Sequence, residues 1–275
     1  MPNAQTSFFG WVLFLLDQYG PLFLRGTGMT LLIAIIGTTV GFAIGLLVAI
    51  LRTLTLPERS PYSKLGTALR RAGLWLAQLI TNIYIQVFRG TPMIVQAVVI
   101  YYGAQYAGIY MQPTFAAMFI ISINTGAYMA EIVRGGIVSV DKGQFEAAHA
   151  IGMTHWQTMT TVILPQAIRN ILPSVGNELI VNIKDSSVLN VISVSELFFQ
   201  AKSAAGAYYR YFEVYFIIAV IYLILTLTVS RLLRFVEKKM DGPDNYIIHG
   251  SQSDSRAPIH VSVENEKEAV KRWNK

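Results

Sequence analysis

The sequence predicts an all-α integral membrane protein of five spans, with the N-terminus outside and the C-terminus in the cytoplasm. Three observations lead there. Of 275 residues, 53% are hydrophobic and only 14% are charged, against about a quarter charged in an ordinary soluble domain. Uncharged apolar runs long enough to cross a bilayer recur along the chain. Basic residues crowd the ends of those runs, which is the positive-inside pattern. The formal charge of +6 follows this distribution rather than a nucleic-acid footprint: residues 240–275 hold five basic and six acidic groups, net −1, leaving +7 for residues 1–239.

Residues 1–24 contain S-F-F-G-W-V-L-F-L-L, a run ended by Asp17. They read as an interfacial segment with Phe8, Trp11 and Phe14 at the membrane surface. With no basic residue before the run and no A-x-A site after it, a signal peptide is not expected. Residues 25–239 make the spanning domain. The first span is the 26 uncharged residues between Arg25 and Arg52, where Gly37, Gly41 and Gly45 give a smooth face for helix packing. The next loop carries Arg52, Arg59, Lys64, Arg70 and Arg71 against Glu58, which marks it as cytoplasmic.

The second apolar run, residues 72–102, is interrupted by V-F-R-G-T-P from Val87 to Pro92. Gly90 and Pro92 weaken the helix beside Arg89, roughly 21 Å along the axis from Gly103. An arginine at that depth must face protein, a cavity or the snorkelling edge; a structural ion pair and a substrate contact both fit it. Gly103 to Pro113 reads as an outer loop. The third span, about Thr114 to Val133, contains Asn124 and Thr125, and the Glu131–Arg134 pair near its cytoplasmic end is expected to be structural.

Residues 141–165, D-K-G-Q-F-E-A-A-H-A-I-G-M-T-H-W-Q-T-M-T-T-V-I-L-P, are polar enough for water. Asp141 with Gln144 is expected to cap a short helix, Gly152 to end it in a turn, and Thr154 with Gln157 to cap a second helix running toward Pro165. Pro165 and Pro173 then break up the approach to a fourth span, about Ser174 to Leu197, which carries Glu178, Asn182, Lys184 and Asp185. As one helix, Glu178, Asn182 and Asp185 share a face, Lys184 points roughly opposite, and Asp185 lies near the bilayer midplane. This face either lines a path or is held by an ion pair from Asp185 to a group such as Arg89. A-K-S-A-A-G-A-Y-Y-R-Y-F reads as a second outer loop. Val214 to Ser230 form the fifth span, anchored inside by Arg231, Arg234, Lys238 and Lys239. Residues 240–275 read as a disordered cytoplasmic tail.

The chain has no cysteine and no G-x-x-x-x-G-K-[ST], and His149, His155, His249 and His260 form no metal-ligand spacing. No catalytic residue, cofactor site or metal site is therefore assigned, and any ATP is hydrolysed on a partner.

Glu146, Ala147, Ala148, Gly152, Val162, Leu164 and Pro165 closely resemble the EAA loop of ABC-importer permeases, in which E-A-A is followed by three residues, G, nine residues and I-x-L-P. Valine replaces the usual isoleucine. F-R-G-T-P and I-K-D-S-S-V-L-N-V-I-S-V-S-E-L narrow the resemblance to the polar amino-acid branch, the histidine, glutamine, arginine and glutamate type; Ser186 and Val188 depart from its K-D-T-S-L pattern. The resemblance covers about Gly26 to Met240. It implies the type I, MetI-like permease fold in a prokaryotic cell membrane, a coupling helix at 141–165, and two permease subunits around a central axis. It also implies a cytoplasmic ABC ATPase that holds ATP and Mg, and an extracytoplasmic amino-acid-binding protein. Glu146, Ala147, Ala148 and Gly152 would couple to the ATPase. Arg89, Asn124, Glu178, Asn182, Asp185 and Ser186 are the substrate-path candidates. The competing reading is a secondary transporter or channel driven through the charged fourth span, against which the chain has no visible inverted repeat.

Overall fold

A computed structural model describes residues 6–53 and 64–240, and every regular element in it is helical. The expected tail beyond residue 240, and Glu58 and Arg59 of the basic loop, lie outside the described residues. In chain order the helices are α1 (Phe8–Thr53), α2 (Lys64–Gly90), α3 (Met93–Tyr106), α4 (Pro113–Val138), α5 (Lys142–Ala150), α6 (His155–Gln157), α7 (Leu164–Asp185), α8 (Leu197–Tyr208) and α9 (Tyr211–Met240). A π-helical segment, Thr158–Ile163, joins α6 to α7, and a 3-10 segment, Ser186–Ile192, follows α7.

α1 passes residue 24 without a break. Its 46 residues extend about 69 Å, long enough for an interfacial stretch and a span laid end to end. By length and apolarity α1, α4 and α9 can each cross a membrane; α2 with α3, bent by 114°, passes the same test only as a pair, the geometry of a broken span or a re-entrant loop. The expected fourth span falls on α7, which holds Arg169, Glu178, Lys184 and Asp185 within 22 residues. Such a helix needs protein around it, and α1, α4 and α9 pack against it.

α4 is the centre of the bundle, with Ala116, Ala117, Ile120, Ile121, Ala127 and Ala130 all fully buried. α1 lies along it through the glycine stripe. A Cβ on Gly41 would stand 2.8 Å from Thr125 side-chain carbons, and one on Gly45 would stand 2.7 Å from the Met129 carbonyl carbon and the Ala130 nitrogen. The stripe therefore brings backbone against backbone, as small residues do between helices in lipid.

The α2–α3 corner is built by Pro92. A proline cannot donate to the carbonyl four residues back, which here is that of Phe88. Gln96 Nε2 fills the vacancy, donating to Phe88 O at 2.9 Å, to Thr91 O at 2.9 Å and to Thr91 Oγ1 at 2.8 Å.

Three expectations are corrected. The fourth span is not one α-helix to Leu197: it stops at Asp185 and tightens to 3-10 geometry. There Ser186, Ser187 and Asn190 bond back to the carbonyls of Ile183, Lys184 and Ser187, the local competition that draws a helix off its i→i−4 ladder. The second outer loop is a helix, α8. Its alanines favour helix, Glu196 caps it by accepting from Phe198 N at 2.8 Å and Phe199 N at 2.7 Å, and Ala201, Ala204 and Ala205 pack beside Leu15, Phe23 and Val214. Pro165 and Pro173 do not interrupt the approach to α7. Pro165 sits in its first turn, and Pro173 lies inside it.

The glycine stripe gives an opposed pair of outcomes. Gly45→Ala should destabilise the protein by about 1–3 kcal/mol through overpacking. Gly28→Ala, whose Cβ would meet nothing within 4 Å, should be neutral or stabilising by up to about 1 kcal/mol. Thermal unfolding in detergent reads both; equal melting of the two variants would refute the close α1–α4 approach.

Candidate functional site

The polar hairpin is stiffened at each joint. Asp141 caps α5 by accepting from Gly143 N at 2.6 Å rather than by forming a box with Gln144. Gly152 turns the chain at φ +81°, a conformation open to glycine at no steric cost. Thr154 and Gln157 form the expected capping box, with Gln157 N donating to Thr154 Oγ1 at 3.3 Å and Thr154 N donating to Gln157 Oε1 at 2.9 Å. Phe145 faces inward, packing with a core of Ala49, Val133, Val140, Ile163, Ala167 and Ile171 that joins the hairpin to α1, α4 and α7.

Of the four coupling candidates, Glu146, Ala147 and Gly152 are exposed, whereas Ala148 is 4% exposed and turned inward. The second helix of the hairpin passes through the π segment into α7 with no loop between. The π turn widens the backbone just before Pro165, whose ring crowds the carbonyl four residues back, and a π-bulge relieves such crowding. His155 to Asp185 is thus one helical path of about 45 Å.

The substrate-path candidates separate into packed and open positions. Asn182 is buried and bridges three helices: its Nδ2 donates to Thr38 Oγ1 of α1 at 2.9 Å, and its Oδ1 accepts from Thr125 Oγ1 of α4 at 3.0 Å. Asn124, also buried, donates to Gln96 Oε1 at 2.9 Å and so braces the α2–α3 corner. Glu178 is buried on the same face as Asn182, and Lys184 is exposed opposite them. Ser186 is fully buried, near the Tyr222 hydroxyl, which also bonds Glu196 Oε2 at 3.2 Å. Asp185 is half-buried where α7 ends, and Arg89 is exposed, its guanidinium carbon 5.5 Å from the Tyr128 ring centroid. Among the described residues Asp185 and Arg89 are not paired with each other. Ion pairs instead join Glu131 to Arg52 and, at 2.9 Å, to Arg134, which ties the ends of α1 and α4 together.

Sequence reasoning missed Thr38, Gln96, Thr125 and Tyr84, whose hydroxyl donates to Ile123 O at 2.6 Å, as partners in these contacts. The available signal was polarity inside apolar runs: Thr38 adjoins Gly37 on the close-packed face, and Gln96 lies four residues after Pro92.

Apolar helices locked by buried amides around a polar, motif-bearing hairpin make up a membrane-embedded transport subunit. Residues 65–242 match the model of the family described as binding-protein-dependent transport system inner membrane component, and the chain belongs to that family. It is 39% identical over 222 residues to the glutamine transport system permease protein GlnP of Escherichia coli strain K12, covering 80% of this chain and 93% of that one. It is 33% identical over 225 residues to the arginine transport system permease protein ArtQ of Bacillus subtilis strain 168, covering 82% and 94%. A crystal structure of an amino acid ABC transporter with histidines matches at TM-score 0.73 and 39% identity, over 86% of this chain and 99% of that one. The inward facing MetNI methionine ABC transporter matches at TM-score 0.62 and 22% identity, over 82% and 98%, and shares the fold.

The Asn182 bridge is testable by a double-mutant cycle of Asn182→Ala and Thr125→Ala. The coupling energy should be about 0.6 kcal/mol and up to about 1.7, the range of hydrogen bonds between membrane helices. Strictly additive losses in thermal stability would refute the bond.

Proposed function

We propose that this chain is the membrane-spanning subunit of an ATP-driven importer of polar amino acids, working in the inner membrane of a prokaryote. The reading is carried by the exposed, doubly capped EAA hairpin on a chain that has no P-loop of its own. Relatives matched over four-fifths of the chain, named for glutamine and arginine transport systems, support the amino-acid assignment.

In this reading the hairpin is the coupling element, touching a cytoplasmic ATPase that carries ATP and Mg. Glu146, Ala147 and Gly152 meet the partner, while Ala148 seats the helix on its own subunit. Motion of the hairpin reaches Asp185 through the continuous path of α6, the π segment and α7. A second permease subunit, the same chain or a related one, completes the translocation path, and an extracytoplasmic binding protein delivers substrate. Asp185 and the exposed Arg89 face that path. A half-buried carboxylate at the end of α7 suits a substrate amino group or a cationic side chain, and a guanidinium suits a carboxylate. Asn124, Asn182 and Ser186 hold the walls in place from behind. Taken as spans, α1, the bent α2–α3 pair, α4, α7 and α9 make five, and with the N-terminus outside, as the loop charges suggest, the hairpin lies in the cytoplasm.

Uptake assays with two variants test the roles separately. Gly152→Asp adds a charge on open surface, and aspartate tolerates the left-handed conformation, so the protein should accumulate normally while uptake falls to background. Asp185→Asn should weaken uptake at least tenfold and change the ranking of cationic, neutral and acidic amino acids. Normal uptake in the first, or an unchanged ranking in the second, would refute the corresponding role. The topology is tested by adding single cysteines to a chain that has none: Ala107→Cys should react with an impermeant thiol reagent outside intact cells, and Ser63→Cys should not. The reverse pattern would invert the topology.

A further inference from the structure

We infer that Tyr128 positions Arg89, holding its guanidinium over the ring so that it meets the α-carboxylate of an amino acid in transit. This rests on the substrate path proposed above and adds to it a residue that carries no charge and belongs to no motif. The guanidinium carbon of Arg89 stands 5.5 Å from the Tyr128 ring centroid, within the reach at which an aromatic face attracts a cation.

α4 holds Arg89 at both ends. Asn124 and Tyr128, four apart, share one face of that helix. Asn124 Nδ2 donates to Phe88 O at 3.4 Å and to Gln96 Oε1 at 2.9 Å, and Gln96 Nε2 donates to the same Phe88 carbonyl at 2.9 Å. One turn earlier on α2, the Tyr84 hydroxyl donates to Ile123 O at 2.6 Å. The backbone that enters Arg89 is therefore pinned to α4, while Tyr128 takes the far end of the side chain. A long side chain fixed in this way gives up less freedom when a ligand arrives.

The kind of partner decides what the guanidinium can still do. A carboxylate beside it would take up its charge and its forked donors. A ring face orients it and leaves both for a third group. Among the described residues Glu131 pairs with Arg52 and Arg134, and Glu213 pairs with Arg210, whereas Arg89 forms no ion pair. Arg89 is exposed and Tyr128 half-buried, and their contact lies beside the middle of α4 rather than at either end. An unpaired arginine at that depth does not face lipid, so its open side faces the path. The anion that every amino acid carries, whatever its side chain, is the α-carboxylate, and the planar fork matches it with two parallel hydrogen bonds.

The test uses the complex of permease and nucleotide-binding subunits in detergent, without the binding protein, so that any selectivity belongs to the membrane path. Radiolabelled arginine and glutamine are displaced by the unlabelled amino acids and by their α-carboxamides, and the ratio of the two affinities reads what the carboxylate contributes. The wild type should prefer the carboxylate. Arg89→Gln should cut that preference at least about tenfold. Tyr128→Leu and Tyr128→Met should cut it roughly threefold, and Tyr128→Phe, which keeps the ring face, should stay within about 1.5-fold of the wild type. Loosened packing would instead weaken both ligands alike and leave the ratio where it was. An unchanged ratio in the leucine or methionine variant overturns the inference, and so does failure of both to assemble, which would make Tyr128 a packing residue. If Arg89→Gln also leaves the ratio unchanged while Asp185→Asn still shifts the ranking in uptake, the path stands and only the carboxylate site fails. If the wild type binds neither amino acid, both fail. Release of a second permease subunit by Arg89→Gln would assign Arg89 to a subunit contact and overturn the inference too.

Discussion

Asn182 holds three helices at once, and the rest of the architecture depends on that hold. A side-chain amide inside a bilayer is costly unless both its ends are bonded. Here the nitrogen goes to Thr38 and the oxygen to Thr125. Both contacts need α1 and α4 to lie close, and the glycine stripe is what permits it, since Gly41 sits directly over Thr125. A polar bridge and a row of missing side chains are thus two halves of one device. It fixes α7, a helix too charged to face lipid, against α1 and α4.

Prolines at two places show how the same defect can be resolved in two ways. Pro92 leaves the Phe88 carbonyl without its helical donor, and the chain bends by 114°, with Gln96 and then Asn124 satisfying the corner. Pro165 lies in the first turn of α7, and the preceding backbone widens into π geometry instead of bending. The first solution produces a corner that buries polar groups. The second keeps the hairpin and α7 continuous, with no loop between them.

The sequence made local chemistry legible and tertiary consequences less so. The Thr154 box, the Gly152 turn, the weak point at Gly90 and Pro92, the packing glycines and the Glu131–Arg134 pair could all be read from spacing, because each is set by residues within a few positions. Arg52 as a second partner of Glu131 could not, because 79 residues separate them. The tyrosines and uncharged small residues of α8 suggest an interfacial loop, while its burial against α1 and α9 is a tertiary effect. Helix periodicity placed Glu178, Asn182 and Asp185 on one face correctly, yet only the fold distinguishes Asn182, locked between α1 and α4, from Asp185 at the half-open end. The inward turn of Ala148 likewise needs the core beneath the hairpin.

These elements compose one path: a surface at the tip of a rigid hairpin, a helix that runs from it, a clamp that aligns that helix, and a carboxylate where the helix ends. In the proposed function this path is driven by ATP on a separate subunit. The most direct measurement is uptake of radiolabelled glutamine and arginine into proteoliposomes containing the permease, assayed with and without its ATPase and binding protein, under imposed ion gradients and with ATP supplied to the ATPase side. At least one of these amino acids should accumulate when ATP, ATPase and binding protein are all present, with no response to the gradients. Accumulation by the permease alone on an ion gradient would contradict it.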